Sequence, residues 1–175
     1  ERILTLLDSE EYIQNNGTVL ADQVKGHIAF EKVWFAYLEN EWVVKEVSFE
    51  VKPGQTVAIV GATGAGKSSI IGLLGRMYDC QKGLIQIDGI PLPDYEIGSL
   101  RKHIAVVLQD VFLFSSSIAY NIHLGDTTIS QEKIEEAAKM VGVHDFIMTL
   151  PGGYGYEVME RGATLSVGQR QLISF

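Results

Sequence analysis

The chain reads as an α/β fold in which a strand-rich first half gives way to a helical second half, and three observations predict it. Residues 61 to 68, GATGAGKS, form a glycine loop between an apolar β-branched run and a helical run. Residues 27 to 35, HIAFEKVWF, alternate apolar and polar as a half-buried strand does. Beyond Gln109 the pattern turns helical and more polar, with runs opening at Ser117, Ser130 and Ser166.

Each element has its own signal. From Glu1 to Gln14, the residues Ile3, Leu4, Leu6, Leu7 and Tyr12 fall in a loosely helical pattern with Asp8, Glu10 and Glu11 on the wet side, and Asn15, Asn16 and Gly17 break it. Strands are expected at 27–35, about 43–51 and 55–60, the last two joined by a turn at Lys52, Pro53 and Gly54. Ser69 to Tyr78 reads as a helix. LIQI at 84–87 and IPL at 90–92 flank Asp88 and Gly89, a strong two-residue hairpin signal. IAVVL at 104–108 reads as a buried strand. Helices are then expected at 117–122, at 130–141 with Ser130 as N-cap, and at 144–150, ending at Pro151. No repeat or low-complexity segment appears.

Composition bounds the function. With 175 residues, 46% hydrophobic and 21% charged, the chain can bury a sizeable core. A formal charge of −8 argues against general attraction to nucleic acid or an anionic membrane face. No apolar run approaches the roughly 18 residues that span a bilayer, so the 175 residues read as soluble. Cys80 is the single cysteine, which fits a reducing compartment, and His27, His103, His123 and His144 show no metal-ligand spacing with it or one another.

The glycine loop carries chemistry. Gly61, Gly64 and Gly66 are expected to take conformations closed to residues with a Cβ, turning successive N–H groups inward around an anion. The positive end of the following helix points at the same place. The Lys67 ammonium can reach β- and γ-phosphates, and the Ser68 hydroxyl can ligate Mg²⁺. This predicts phosphate binding without fixing the reaction, since kinases, GTPases and transport ATPases share the loop. Near the other end, LSVGQRQ at 165–171 places Ser166 as a helix N-cap and Gly168 where backbone can be approached closely, so it could present a hydroxyl and bare N–H groups to a second phosphate.

These motifs, with Tyr37 of WFAY, the glutamine of VVLQD, the sequence DVFLFSSSIAYNI after it and ERG at 160–162, resemble in order the nucleotide-binding domain of ATP-binding cassette (ABC) transporters, and more closely the exporter branch. The resemblance covers essentially the whole chain. It implies a P-loop nucleoside triphosphate hydrolase fold with an antiparallel β subdomain, a partial central sheet around residues 56 to 108 and a helical subdomain. Residues 1–16 would be a linker helix from a transmembrane domain. Residues 27–109 would hold the β subdomain and P-loop core, about 110–165 the helical subdomain, and 166–175 the signature helix.

The resemblance also implies residue roles. Tyr37 would stack on adenine. Gly61, Thr63, Gly64, Ala65, Gly66, Lys67, Ser68 and Ser69 would hold the phosphates of ATP. Ser68 and Gln109 would face Mg²⁺, with Gln109 also near the attacking water. Ser166, Val167, Gly168 and Gln169 would face the ATP of a second nucleotide-binding domain, so that binding drives dimerisation and hydrolysis releases it. Glu160 and Arg161 would lie at the contact with the membrane domains, at the cytoplasmic face of a membrane.

The sequence departs from the family pattern at Val167, where glycine is commonest, at Met159, where glycine is usual, and at Leu172, which replaces a frequent arginine. The acidic Walker B strand, the glutamate after it, the D-loop and the switch histidine do not occur in the 175 residues, so no catalytic base is assigned. The expectation is therefore a segment of a longer ATPase, with membrane helices ahead of Glu1 and the rest of the domain after Phe175. Taken alone it should be inactive, and marginal or aggregation-prone. Two other classes fit less of the sequence: a regulatory module that binds nucleotide without turnover, and a soluble cassette ATPase of DNA repair or translation.

Overall fold

Alternating apolar residues carry the first strand, β1 (Ile28–Ala36), into antiparallel pairing with β2 (Trp42–Val51). The computed structural model describes residues 13–108, 111–159, 162 and 164–175. They divide into two units, 1–105 and 106–175.

In the first unit, β1 lies between β2 and β3 (Lys82–Ile87), and β3 pairs with the short β4 (Ile90–Pro91), all antiparallel. Phe30, Val33 and Phe35 of β1 all face the core, although the first two are three residues apart. A bulge makes this possible. Phe30 opposes Phe49 and Val33 opposes Val47, so β1 carries one extra residue there. Lys32 takes a φ of 46° at the bulge, and its N–H donates to Ser48 Oγ at 2.8 Å. The β3–β4 hairpin turns on Asp88 and Gly89, with φ of 52° and 78°, as a type I′ turn requires.

Helix α1 (Lys67–Leu74) buries Ile70 and Leu73 against Phe30, Val33, Phe35, Val44, Ile85 and Leu100. A further helix, α2 (Ile97–Arg101), has no counterpart in the sequence expectations. It is five residues long and capped by Glu96, whose carboxylate accepts from the N–H groups of Gly98 and Ser99.

The second unit is helical: α3 (Ile118–His123), α4 (Gln131–Met140), α5 (His144–Thr149) and α6 (Val167–Ile173). Their apolar stripes enclose Leu113, Ile118, Ile134, Val143, Ile147 and Ile173. Ser117 caps α3, its Oγ accepting from Tyr120 N–H at 3.1 Å. Ser130 precedes α4 as expected, but its side chain caps no backbone N–H; only its carbonyl oxygen joins the helix, accepting from Ile134 N–H at 3.2 Å.

The strands expected at 55–60 and 104–108 are not formed, and with them the partial central sheet around 56 to 108. Both runs are irregular, with Val60 88% and Leu108 62% exposed. An apolar β-branched run becomes a strand only when a neighbour takes up its backbone N–H and C=O groups, and no strand among the described residues pairs with either. The helix expected over residues 1–14 falls almost wholly outside the described residues; Ile13 and Gln14, its described end, are irregular. No helix among the described residues is long and apolar enough to cross a membrane.

Candidate functional site

The site begins where the chain leaves the exposed run 56–60 and turns into α1. Gly64 and Gly66 adopt φ of 83° and 81°, the left-handed region that the loop was expected to need. At Gly66 there is a second constraint, because a Cβ would sit 3.0 Å from the Val43 carbonyl oxygen. Gly61 corrects the expectation. Its φ is not left-handed, and what it provides is room, since a Cβ there would approach the Ala65 methyl to 3.3 Å.

The Lys67 ammonium folds back over the loop and donates to the carbonyl oxygens of Gly61 and Ala62, both at 2.8 Å. Ala65 N–H closes the turn on Ala62 O at 3.2 Å, and Ile70 N–H on Gly66 O at 3.1 Å starts the helical ladder. No side chain caps α1, and its first turn holds no acidic residue. Among the described residues, the positive helix end is thus left without a cap or a first-turn carboxylate to compensate it. Thr63, Gly64, Ala65 and Ser68 are exposed around it.

Ser69 is buried, and its Oγ lies 2.9 Å from the Tyr37 hydroxyl. Tyr37, just past the end of β1, is 53% exposed. Its ring meets Phe35 and Tyr78 nearly at right angles, with centroids 4.8 Å and 5.2 Å away. The fold therefore brings Tyr37 and the glycine loop together, 32 residues apart along the chain at the Tyr37–Ser69 contact. Two neighbours of Tyr37 escaped the sequence reading. Tyr78 packs on the ring, and the Gln81 side chain makes paired bonds to Ala36, accepting from its N–H at 3.1 Å and donating to its C=O at 2.9 Å. Nothing local in the sequence links these positions to Tyr37.

In the second unit, Ser166 caps α6 through a capping box: Ser166 Oγ accepts from Gln169 N–H at 3.2 Å, and Gln169 Oε1 accepts from Ser166 N–H at 2.9 Å. The box uses a lone pair of the serine and not its proton. Val167 is 69% exposed, and a Cβ on Gly168 would meet nothing within 4 Å. Gln109, Glu160 and Arg161 lie outside the described residues.

A family model described as "ABC transporter" matches residues 44–175. The "Uncharacterized ABC transporter ATP-binding protein YknV" of Bacillus subtilis is 44% identical over 176 residues, covering 100% of this chain and 29% of the relative. The "ATP-dependent lipid A-core flippase" of Saccharophagus degradans is 45% identical over 160 residues, 91% of this chain and 27% of its own. Among solved structures, a bacterial Atm1-family ABC exporter with ATP bound matches with a TM-score of 0.85 at 38% identity, over 99% of this chain and 31% of that one. The chain thus spans about three tenths of the length of the relatives it matches.

Proposed function

The chain belongs to the ABC transporter family, whose model matches residues 44–175, and from that premise we propose that it is the ATP-binding part of an exporter, driven by ATP-dependent association of two such domains and by hydrolysis. It has the α/β fold of an ABC ATPase. The observation that carries the reading is the loop itself. An uncapped helix N-terminus, two left-handed glycines and a lysine held over it by nothing stronger than two carbonyl oxygens make a seat for a polyphosphate.

On this reading Thr63, Gly64, Ala65 and Gly66 offer backbone N–H groups to the phosphates, with Gly61 giving the loop room to close. Lys67 exchanges its carbonyls for the β- and γ-phosphates, Ser68 offers its hydroxyl, and Ser69 its backbone N–H, at the first turn of α1. Tyr37 stacks on the adenine. Mg²⁺, held by Ser68 and Gln109, would supply charge neutralisation between the terminal phosphates. The exposed Ser68 hydroxyl at the helix start suits such an ion.

Ser166, Val167, Gly168 and Gln169 would face nucleotide on a second nucleotide-binding domain. Gly168 supports this, because a helical glycine costs about 0.5–1 kcal/mol relative to alanine, and a Cβ there would meet nothing within 4 Å among the described residues that would explain it by packing. The whole protein would add transmembrane domains and work at the cytoplasmic face of a membrane, in line with the flippase and exporter names of its relatives. Calorimetric titration of the chain with Mg·ATP tests the reading. Binding should be measurable and should weaken at least about tenfold in Lys67→Ala, the loss of one charge-assisted contact. Absence of Mg·ATP affinity in folded wild-type chain would overturn it.

A further inference from the structure

Among the described residues the aromatic face offered beside the glycine loop is not a free side chain, and what fixes it lies elsewhere in the sequence. Tyr37 sits at the exit of β1, where a tyrosine on an open surface would sample several rotamers. Here three contacts restrain it. Its hydroxyl lies 2.9 Å from Oγ of the buried Ser69. Its ring crosses that of the buried Phe35 at 81° and that of Tyr78 at 87°. Tyr78 itself is set by Phe35, 5.3 Å away, and stands in the turn that leaves α1. Three residues further on, the Gln81 carboxamide pairs with both backbone groups of Ala36, the residue before Tyr37, and Gln81 N–H donates to Trp34 O at 3.1 Å. The segment Tyr78–Gln81 therefore grips both the ring and the backbone that carries it.

We propose that Tyr78 and Ser69 are positioning residues for nucleobase recognition, holding the Tyr37 ring in the one orientation in which it stacks on a base. This rests on the reading of the glycine loop as a triphosphate seat. The physical reason is preorganisation. A stacking ring that is already ordered loses little rotamer freedom when the base arrives, so more of the stacking free energy appears as affinity. Perpendicular ring contacts suit the purpose because they restrain the tyrosine while more than half of it stays exposed for a base.

The test compares two probes on the full chain: Mg·ATP, which has a base, and Mg·tripolyphosphate, which has none. Wild type should bind ATP more tightly, and the ratio of the two affinities reads the contribution of the nucleoside. Tyr78→Ala should shrink that ratio by about three- to tenfold while leaving tripolyphosphate binding unchanged. Tyr78→Phe, which keeps the ring, should retain the ratio. Should Tyr78→Ala fail to fold, Tyr37→Phe removes only the hydroxyl tether and should shrink the ratio in the same direction. A ratio unchanged in folded Tyr78→Ala or in Tyr37→Phe overturns the proposal, and so does a ratio lost in Tyr78→Phe. An equal loss for both probes would make Tyr78 a support of the fold and overturn it as well. Failure of the underlying reading looks different: wild-type chain that binds no tripolyphosphate refutes the seat itself, and wild type with a ratio near unity refutes Tyr37 as the base platform together with this proposal.

Discussion

Asp88 shows how one side chain can do two jobs in a turn. Its left-handed φ forms the first half of the β3–β4 hairpin turn, and its carboxylate reaches the backbone of the segment leading into β1. Oδ2 accepts from Lys25 N–H at 2.7 Å and Gly26 N–H at 3.5 Å, and Oδ1 from His27 N–H at 2.9 Å. Burial works against the charge, but the N–H groups of His27, Lys25 and Gly26, with the Lys25 ammonium, outweigh it and hold the carboxyl below the usual aspartate range. A carboxyl depressed by folding stabilises the native state above its unfolded-state pKa. That contribution drains away as pH falls from there through the lower folded-state value. Asp88→Asn keeps a residue tolerant of positive φ and loses the charge. It should cost about 1–3 kcal/mol at neutral pH, and its stability should depend less on pH below about 4 than that of wild type. Urea melts of both chains across pH 2.5 to 7, roughly the span of carboxylate titration, would measure it; parallel curves would refute the role.

At the scale of elements, what the sequence made legible was local and what it hid was long-range. The hairpin at Asp88–Gly89, the helix after the glycine loop, the short helix after Ser117 and the cap at Ser166 could be read because their signals lie within a few residues of the structure they produce, although the cap expected from the Ser130 side chain is not made. The five-residue α2 could not, since its cap is a glutamate and Gly98 weakens the helical pattern. Nor could the strap formed by residues 14 to 19. Val19 N–H donates to Asp94 O at 3.0 Å, Glu96 N–H to Val19 O at 2.8 Å, and the Asn15 side chain bridges Glu96 Oε1 and Ile97 N–H, each at 2.9 Å. Arg76, at the exit of α1 and 3% exposed, fastens the same strap by donating from Nη2 to Gln14 O at 2.9 Å, and from Nη1 to Tyr95 O at 3.4 Å. Its Nε donates to Asp79 Oδ1 at 3.1 Å. Arg76→Met would keep the apolar stem and strand those acceptors, at a cost of about 2–4 kcal/mol. Hydrogen exchange should locate the damage: the Val19 and Glu96 amides should quicken more than those of β1. Uniform acceleration across the first unit would mean that Arg76 supports the core rather than the strap.

For the molecule as a whole, the site was more legible than the architecture around it. The spacing of GATGAGKS encodes its own backbone geometry, whereas the strand character of 55–60 and 104–108 is a statement about neighbours, and no described strand supplies them. The two runs consequently lie open, Val60 at 88% and Leu108 at 62%, while Leu73 on the buried face of α1 is fully enclosed. Exposed apolar runs of high β-propensity are the segments through which chains associate edge to edge. Replacing Val60 or Leu108 by lysine should therefore shift stability by no more than about 0.5 kcal/mol, where Leu73→Ala should cost about 2–5 kcal/mol. The same lysines should suppress self-association, read by light scattering across a concentration series and a thermal melt. In any longer protein whose additional strand covers these runs, Val60→Lys would instead bury an unpaired charge and cost several kcal/mol. A large cost in the 175-residue chain itself would mean that these runs already sit in a formed sheet, contrary to their exposure.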